Sequence, residues 1–365
     1  GHDVDLVMPR YRGITAGAPA RPVTVRLGGQ VAEAQIRVAE AGRVRTVLVD
    51  YAPYFDRDYL YGPTGQDYPD NPERFAFLAG AALEWAASTP QPFDIIHAHD
   101  WQAGLAPVML RNGYAPAALA HTPAVFTVHN LAYQGVFDAS WLPRLGFAWD
   151  LMRIDTLEYW GRISYLKGGI MCSRAITTVS PRYAREIQTP EFGCGFDGIL
   201  RHRADDLVGI LNGIDYDRWD PARDPFLPEA YDATNLAGKL AAKRLVLETF
   251  GLPAGDEALA RPLVGLISRL VDQKGFDLIA ELADELPRLD ASFVLLGSGD
   301  RRHEDFWLGL ASRHPDRIGA RIGFDEALAH RIEAGADMFL MPSRFEPCGL
   351  SQMYSLRYGT VPVVR

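Results

Sequence analysis

The sequence predicts an α/β fold with two domains, each built on a mainly parallel sheet. Short apolar runs recur along the chain, and stretches with the period of a helix alternate with them. Continuous apolar runs of about five residues are typical of parallel strands buried on both faces. The length of 365 residues agrees with two domains, because single hydrophobic cores rarely grow beyond roughly 250–300 residues.

The elements follow in order along the chain. In the first domain, strands are predicted at residues 4–8, 44–49, 93–97, 124–128, 175–179 and 207–211. In the second domain, they are predicted at residues 263–267, 292–296, 338–341 and 361–364. Helices are predicted at residues 73–87, 235–250 and 276–286. This alternation of strands and helices is typical of parallel sheets covered by helices.

Prolines and charges interrupt the apolar pattern between Asp215 and Arg261, and we place the domain boundary there. Residues 1–215 are the predicted N-terminal domain, residues 216–260 a linker with a connecting helix, and residues 261–365 the C-terminal domain. The chain opens on a strand with no element before it and stops on a strand with none after it. We therefore expect a first strand–helix unit that lacks its start and an incomplete second domain.

Composition excludes several classes of protein. The chain has 48% hydrophobic and 23% charged residues, as ordinary globular proteins do. A net charge of −9 argues against a nucleic-acid binder, which carries a basic face. No apolar run approaches the ~20 residues that cross a bilayer, and no signal-peptide pattern is visible. Three widely spaced cysteines form no disulfide or zinc framework. We expect a cytoplasmic protein without a membrane or nucleic-acid partner.

Polar side chains come after the buried strands of the first domain, where open α/β sheets bind ligands. His97 and His99 lie on the same face of one strand, since side chains alternate along a strand. A metal site would need His129 or Asp100 as a further ligand. Alternatively, the histidines are satisfied by hydrogen bonds, and Asp100 begins the next helix, where a carboxylate is favourable.

Amide side chains follow two further strands of this domain. Asn130 comes after the strand at residues 124–128, while Asn212 and Gly213 follow the strand at residues 207–211. Each is typical of a turn when taken alone. Together, at one edge of a sheet, they predict a polar pocket for hydroxyl groups. The DxD pattern at residues 215–217 is interpreted as structural.

Two loops of the second domain carry charged residues. Arg269 and Lys274 lie five residues apart after its first strand, so both can reach one anion near a helix N-terminus. Glu346 lies in a Pro- and Gly-bounded loop that leads into a helix, where it either faces a ligand or caps that helix. Cys348 would act as a nucleophile only with partners that the sequence does not specify.

Several segments carry a resemblance to a known family. They are HAHDW, TVHNLAYQG, TTVSPRYAREI, LNGID, SRLVDQKG and PSRFEPCGL, in this order along nearly the whole chain. The chain resembles the bacterial glycogen synthases and plant starch synthases. The resemblance implies the GT-B architecture, in which two Rossmann-like domains face a central cleft. It also implies transfer of glucose from ADP-glucose to the non-reducing end of an α-1,4-glucan, glycogen or a maltooligosaccharide, with retention and without a metal or another cofactor.

The resemblance assigns roles to individual residues. Arg269 and Lys274 hold the donor diphosphate, Asp100 lies near the reacting centre, and Phe324 stacks on adenine where the family usually has Tyr. The catalytic set that the resemblance implies is Asp100, His129, Arg269, Lys274 and Glu346. The substrate-binding set is Tyr61, Asn130, Asn212, Gly213, Gly323, Phe324, Cys348, Gly349 and Leu350.

The sequence also departs from the family. It begins beyond the family's Lys-Thr-Gly-Gly-Leu loop and stops before a later Thr-Gly-Gly-Leu segment. Tyr354 stands where many retaining GT-B enzymes have a second Glu, eight positions after Glu346. The alternatives are an inactive glucan-binding fragment, a related retaining glucosyltransferase that uses UDP-glucose, and a metal-dependent hydrolase built on His97 and His99.

Overall fold

The computed structural model describes residues 2–63 and 66–365, which form two compact units that meet after Leu211. The predicted linker, residues 216–260, lies within the second unit. Among the residues described, no helix is both long enough and apolar enough to cross a membrane.

The strands of the first unit are β1 (Val4–Pro9), β2 (Ala18–Pro19), β3 (Val23–Leu27), β4 (Gln30–Ala41), β5 (Val44–Asp50), β6 (Ile96–His99), β7 (Ala124–Val128), β8 (Val136–Phe137), β9 (Glu158–Tyr159), β10 (Arg162–Ser164), β11 (Ala175–Thr178) and β12 (Leu207–Gly209). Its helices are α1 (Ala52–Phe55), α2 (Asn71–Ser88), α3 (Asp100–Ala103), α4 (Leu105–Arg111), α5 (Trp141–Arg144), α6 (Tyr165–Cys172), α7 (Pro181–Glu186) and α8 (Asp197–His202).

The strands of the second unit are β13 (Leu263–Leu270), β14 (Ser292–Gly299), β15 (Ile318–Ile322), β16 (Met338–Met341) and β17 (Val361–Val364). Its helices are α9 (Ala237–Thr249), α10 (Asp256–Ala260), α11 (Phe276–Ala280), α12 (Arg301–Arg313), α13 (Glu326–Gly335) and α14 (Leu350–Arg357).

The first unit contains a parallel sheet in the order β12-β11-β7-β6, which carries the predicted histidines. The strand predicted at residues 93–97 is shifted and forms β6 instead. Ile96 pairs with Ala124, the first residue of β7, so residues before 96 have no partner in that strand. The shift leaves both His97 and His99 inside β6 and places Asp100 directly after it.

A second sheet of the first unit is mixed, which the sequence did not predict. β1 pairs with β5 in parallel, whereas β4 is antiparallel to β5, β3 and β2. Along β3, buried Val23, Val25 and Leu27 alternate with exposed residues, and the strand packs on α2. An alternating strand lacks the continuous apolar run on which the prediction relied.

The second unit is built on one parallel sheet in the order β15-β14-β13-β16-β17. Alternate residues of β14 enter two cores: Phe293 and Leu295 pack with Trp307 of α12, while Val294 and Leu296 pack with Ile332 of α13. Helices therefore cover both faces of the sheet, and the predicted α/β fold class is confirmed. The edge strand β15 was not predicted.

Helix α11 is shorter than the helix predicted at residues 276–286, because it ends at Ala280. Turns follow, and then a single 3-10 turn, Leu286–Arg288, that contains Pro287. Proline lacks the N–H that an α-helix needs, and it disfavours helical geometry at the preceding residue. A five-residue helix also adds little dipole to the anion site predicted near its start.

A largely buried polar cluster lies beside β17, the last strand of the second unit. The Lys239 ammonium donates to the carbonyl oxygens of Ala334 and Tyr358 at 2.8 and 3.2 Å. The hydroxyl of Ser355 donates to the Glu333 carboxyl at 2.7 Å. Burial raises the pKa of Glu333 to about 8, although the Ser355 hydrogen bond and the Lys239 charge act in the opposite direction.

We predict that the Glu333→Gln variant loses much of the pH dependence of stability. The pKa of Glu333 in the folded state lies above the ordinary value of 4.5. The stability that protonated Glu333 contributes is therefore complete below pH 4.5 and is lost as the pH rises through 8. Gln keeps the oxygen that accepts from Ser355 but does not ionise. Burial lowers the pKa of Lys239 to about 8, so this lysine acts mainly above the window.

Thermal unfolding between about pH 5 and pH 8 measures this difference. The unfolding temperature of the wild type is expected to fall more steeply than that of the variant. Parallel profiles for the two proteins would contradict the assignment.

Candidate active site

Three histidines line the carboxyl end of the parallel sheet in the first unit. The rings of His97 and His99 stack with their centroids 4.2 Å apart, which confirms that they share one face of β6. His99 Nδ1 and His129 Nε2 form a hydrogen bond of 3.0 Å. Partial burial and the neighbouring imidazoles lower the pKa of His99 to about 4. The row is therefore uncharged at His99 near neutral pH.

Two threonine hydroxyls continue the hydrogen-bonded row from His97. His97 Nε2 bonds Thr127 Oγ1 at 2.6 Å, and Thr127 Oγ1 bonds Thr177 Oγ1 at 2.6 Å. The chain of contacts thus runs across β6, β7 and β11. It corresponds to the alternative in which hydrogen bonds satisfy the histidines.

Asp100 is the first residue of α3 and adopts a left-handed conformation, with φ of 54°. Its Oδ1 accepts a hydrogen bond of 2.7 Å from the backbone N–H of His129. Asp100 begins the next helix, as one of the two alternatives predicted, and its carboxylate also links the ends of β6 and β7. Burial raises the pKa of Asp100, and the N–H groups of His129 and Asn130 oppose that shift.

Tyr61 lies beside Trp101, with ring centroids 6.0 Å apart. A buried cation holds its loop: the Arg74 guanidinium donates to the carbonyl oxygens of Tyr54 and Leu60 at 2.8 and 3.1 Å. Asn71 donates to the Tyr61 carbonyl at 2.9 Å. Sequence reasoning missed Arg74, although an arginine directly before a long, largely apolar stretch of helix is a visible signal.

The amide residues follow strands of the same parallel sheet. Asn130 Oδ1 accepts from the N–H of Ala132 at 3.0 Å, which is an Asx turn. Asn212 and Gly213 are the first residues of the second unit, and a Cβ atom at Gly213 would meet nothing within 4 Å. The hydroxyl-binding pocket predicted from these amides stays a prediction.

The charged residues of the second unit gather at the carboxyl ends of β13 and β16. Arg269 lies in β13, opposite Ser298 of β14, rather than in the following loop. Lys274 Nζ contacts Glu346 Oε2 at 2.6 Å, and the Ser343 hydroxyl donates to the same oxygen at 3.0 Å. The predicted cation and the predicted carboxylate are thus partners.

The loops that hold this pair also touch through their backbones. The N–H of Arg344 donates to the Gln273 carbonyl at 2.9 Å, and the Arg344 guanidinium pairs with Asp277. Gly275 has φ of 74°, and a Cβ atom there would lie 2.1 Å from the Pro342 carbonyl oxygen. Only glycine permits both the conformation and the approach.

The remaining predicted residues surround the neighbouring strand ends. Gly323 follows β15, and its N–H donates to the carbonyl of Gly297 at 2.9 Å. Phe324 is 91% exposed. Gly349, with φ of 78°, precedes α14, so Leu350 begins the helix and Cys348 is a half-buried free thiol.

Comparisons with known proteins agree on one family. Residues 1–202 match the starch synthase catalytic domain. The chain is 50% identical to a glycogen synthase of Anaeromyxobacter dehalogenans and 47% identical to one of Koribacter versatilis, covering all of this chain and 77% and 75% of those proteins. A solved structure, the catalytic domain of starch synthase IV from Arabidopsis thaliana bound to ADP and acarbose, matches with a TM-score of 0.90 and 35% identity, over 100% of this chain and 76% of that one.

The chain belongs to the glycogen synthase and starch synthase family. The resemblance drawn from the sequence is therefore confirmed, and the protein is a hexosyltransferase. The comparisons do not test the individual site residues, whose roles stay predictions.

One cluster of potential metal ligands escaped sequence reasoning. Among residues 2–63 and 66–365, the cluster consists of Asp272, Asp300 and His303. Each offers one possible ligand atom, and these atoms lie within 4.8 Å of one another. Buried His303 contacts Asp272 Oδ1 at 3.1 Å, and Arg302 pairs with both carboxylates. These contacts tie the start of α12 to the loop of Lys274, so the cluster acts as a support for that loop.

A cavity of about 690 Å³ lies at the opposite edge of the parallel sheet in the first unit. Its lining includes Ala124, at the start of β7, and Arg174, directly before β11. Arg111 and Arg203, which also line it, donate to the Met171 carbonyl at the end of α6. None of the predicted site residues lines this cavity.

We predict that Gly275→Ala destabilises the second unit by about 2–4 kcal/mol, since it adds backbone strain and a steric clash. Gly251→Ala is the matched control, because Gly251 also has a positive φ, 71°, but has open space around it. The control is expected to cost about 1–2 kcal/mol. Denaturant unfolding measures both, and equal costs would show that the approach to Pro342 is unimportant.

Proposed function

We propose that the protein transfers glucose from ADP-glucose to the non-reducing end of an α-1,4-glucan, with retention of configuration. Membership of the glycogen synthase and starch synthase family supports glucosyl transfer to a glucan. The solved relative from Arabidopsis thaliana is bound to ADP and acarbose, which favours an adenine nucleotide donor and a glucan-like acceptor.

The observation that supports donor binding is the ion pair between Lys274 and Glu346 at the ends of β13 and β16. Arg269 and Lys274 supply two cations, and Glu346 holds Lys274 at 2.6 Å. Cations placed before the reaction stabilise the charge that develops on a leaving diphosphate, with no reorganisation during the step. In this proposal, Phe324 stacks on adenine, with Gly323 beside it. The backbone N–H groups of the segment from Cys348 through Gly349 to Leu350 bind the donor sugar.

The glucose contacts in this proposal come from residues of the first unit and from Asn212 and Gly213, which begin the second unit. His129 and Asn130 follow β7, Tyr61 lies beside Trp101, and Asn212 with Gly213 follows β12. Neutral imidazoles and amides both donate and accept hydrogen bonds, so they suit sugar hydroxyls. The depressed pKa of His99, about 4, keeps that ring neutral near neutral pH.

Retention is proposed to occur by attack on the same face of the sugar. The bond between the anomeric carbon and the diphosphate oxygen breaks, and its electron pair stays on the diphosphate. The acceptor hydroxyl attacks from that side, and its proton passes to the departing phosphate. Positioning and charge stabilisation then carry the rate, and the two cations provide the charge without a metal or another cofactor.

Glucose transfer from radiolabelled ADP-glucose into glycogen, without added metal, tests the proposal. Incorporation is expected with ADP-glucose and far less with UDP-glucose. Preference for UDP-glucose would overturn the donor assignment. Glycogen binding without transfer would favour a non-catalytic glucan-binding protein.

We predict that Asp100→Asn lowers kcat by roughly 10²-fold while the protein remains folded. Asn tolerates the left-handed conformation, and its oxygen keeps the hydrogen bond from His129, so only the charge is removed. Circular dichroism and thermal unfolding check the fold. Unchanged turnover would assign Asp100 a purely structural role.

A further inference from the structure

The tip of the β9–β10 hairpin carries an unusual residue. Tyr159 pairs with Arg162, so Trp160 and Gly161 form a two-residue turn. Their φ angles are 51° and 75°, as a type I′ turn requires. Asn and Gly are preferred at the first position of such a turn, because a side chain with a Cβ is strained there. A tryptophan is among the least suitable residues for it.

Burial does not compensate for that strain, because Trp160 is 85% exposed. The Glu158 carboxylate accepts from the N–H of Gly161 at 3.0 Å and holds the turn. Strained residues that the surrounding structure enforces are concentrated at functional positions. An exposed indole in a strained turn therefore points to a ligand.

The indole is also held in place. Its N–H lies beside the hydroxyl of Tyr159: burial raises the pKa of that hydroxyl, and the contact with Trp160 acts to lower it. The Tyr159 ring stacks on buried Phe196, with centroids 4.7 Å apart and planes inclined by 20°. A flat aromatic face that is fixed before binding loses little conformational freedom when a ligand stacks on it.

The hairpin adjoins the segment that begins with His129. Strand β10 pairs with β8, which directly follows Gly135. Within that segment, Gln134 donates to the Cys194 carbonyl at 2.8 Å, two residues before Phe196. The hairpin that carries Trp160 is thus paired with the segment that carries the candidate glucose contacts.

We propose that Trp160 is a stacking platform for a glucose residue of the acceptor glucan. The inference rests on the proposed function, since that function supplies a glucan as ligand. Pyranose rings present apolar C–H faces, which pack on flat aromatic surfaces, while their hydroxyls stay in water. The exposed, fixed indole suits such a ring and sets how firmly long acceptors bind.

Trp160→Asn is the informative variant, because it removes the ring and supplies a residue that the turn prefers. Its unfolding temperature is expected to equal or exceed that of the wild type. Trp160→Phe keeps an aromatic face. Trp149→Ala is the matched control, since Trp149 is another exposed tryptophan of the first unit, 58% exposed and without a positive φ.

The dissociation constant for maltoheptaose is measured by calorimetry, and the KM values for glycogen and ADP-glucose by transfer assay. Trp160→Asn is expected to raise the dissociation constant and the KM for glycogen roughly threefold to tenfold. The KM of this variant for ADP-glucose is expected to stay the same. Trp160→Phe is expected to lose less glucan affinity, and Trp149→Ala is expected to bind glucan as the wild type does.

Unchanged maltoheptaose affinity in Trp160→Asn would overturn the inference. A change in self-association by light scattering with unchanged glucan affinity would overturn it too, and would assign the indole to contact between copies. If the wild type fails to transfer glucose but its glucan affinity depends on Trp160, the proposed function fails and the platform stands.

Discussion

The contact between Lys274 and Glu346 is the interaction on which the candidate donor side depends. The two residues lie 72 positions apart, and their loops follow β13 and β16, which are neighbours in the sheet. Burying one partner alone would leave an uncompensated charge, so each residue requires the other. The ion pair lies beside the close approach of the backbones at Gly275 and Pro342, and the loop of Glu346 leads directly into α14.

Backbone strain occurs at a strand end, in a hairpin turn and in a loop of the first unit. Asp100, Trp160 and Cys194 are the non-glycine residues with positive φ among those described. Asp100 supports the histidine row, and Cys194 accepts from Gln134 in the following segment. These conformations persist because the neighbouring hydrogen bonds enforce them, and they hold side chains where relaxed turns would not.

The sequence predicted the parts of the fold whose signal is local. Strands β7 and β16 match their predicted bounds, because continuous apolar runs reveal strands that are buried on both faces. Strands β3 and β4 were missed, because buried and exposed residues alternate along β3, which packs on α2, and β4 contains no continuous apolar run. The sequence could also show which strands are followed by candidate site residues, namely β6, β7, β13 and β16. The partners of these residues were not predictable, because the Asp100–His129 and Lys274–Glu346 contacts join segments distant in sequence.

The electrostatics of the two units differ in a way that suits different halves of a sugar nucleotide reaction. Burial, together with the neighbouring imidazoles, lowers the pKa of His99 to about 4, so its ring is neutral near neutral pH and makes polar contacts without net charge. Around Lys274, the ammonium lies 2.6 Å from the Glu346 carboxylate, and this ion pair holds the cation in place. Neutral donors and acceptors discriminate among hydroxyls by geometry, whereas fixed charges attract a diphosphate and stabilise its departure. Exchanging these environments would weaken both tasks: a charged imidazole row would bind anions, and a neutral loop would leave the diphosphate unpaired.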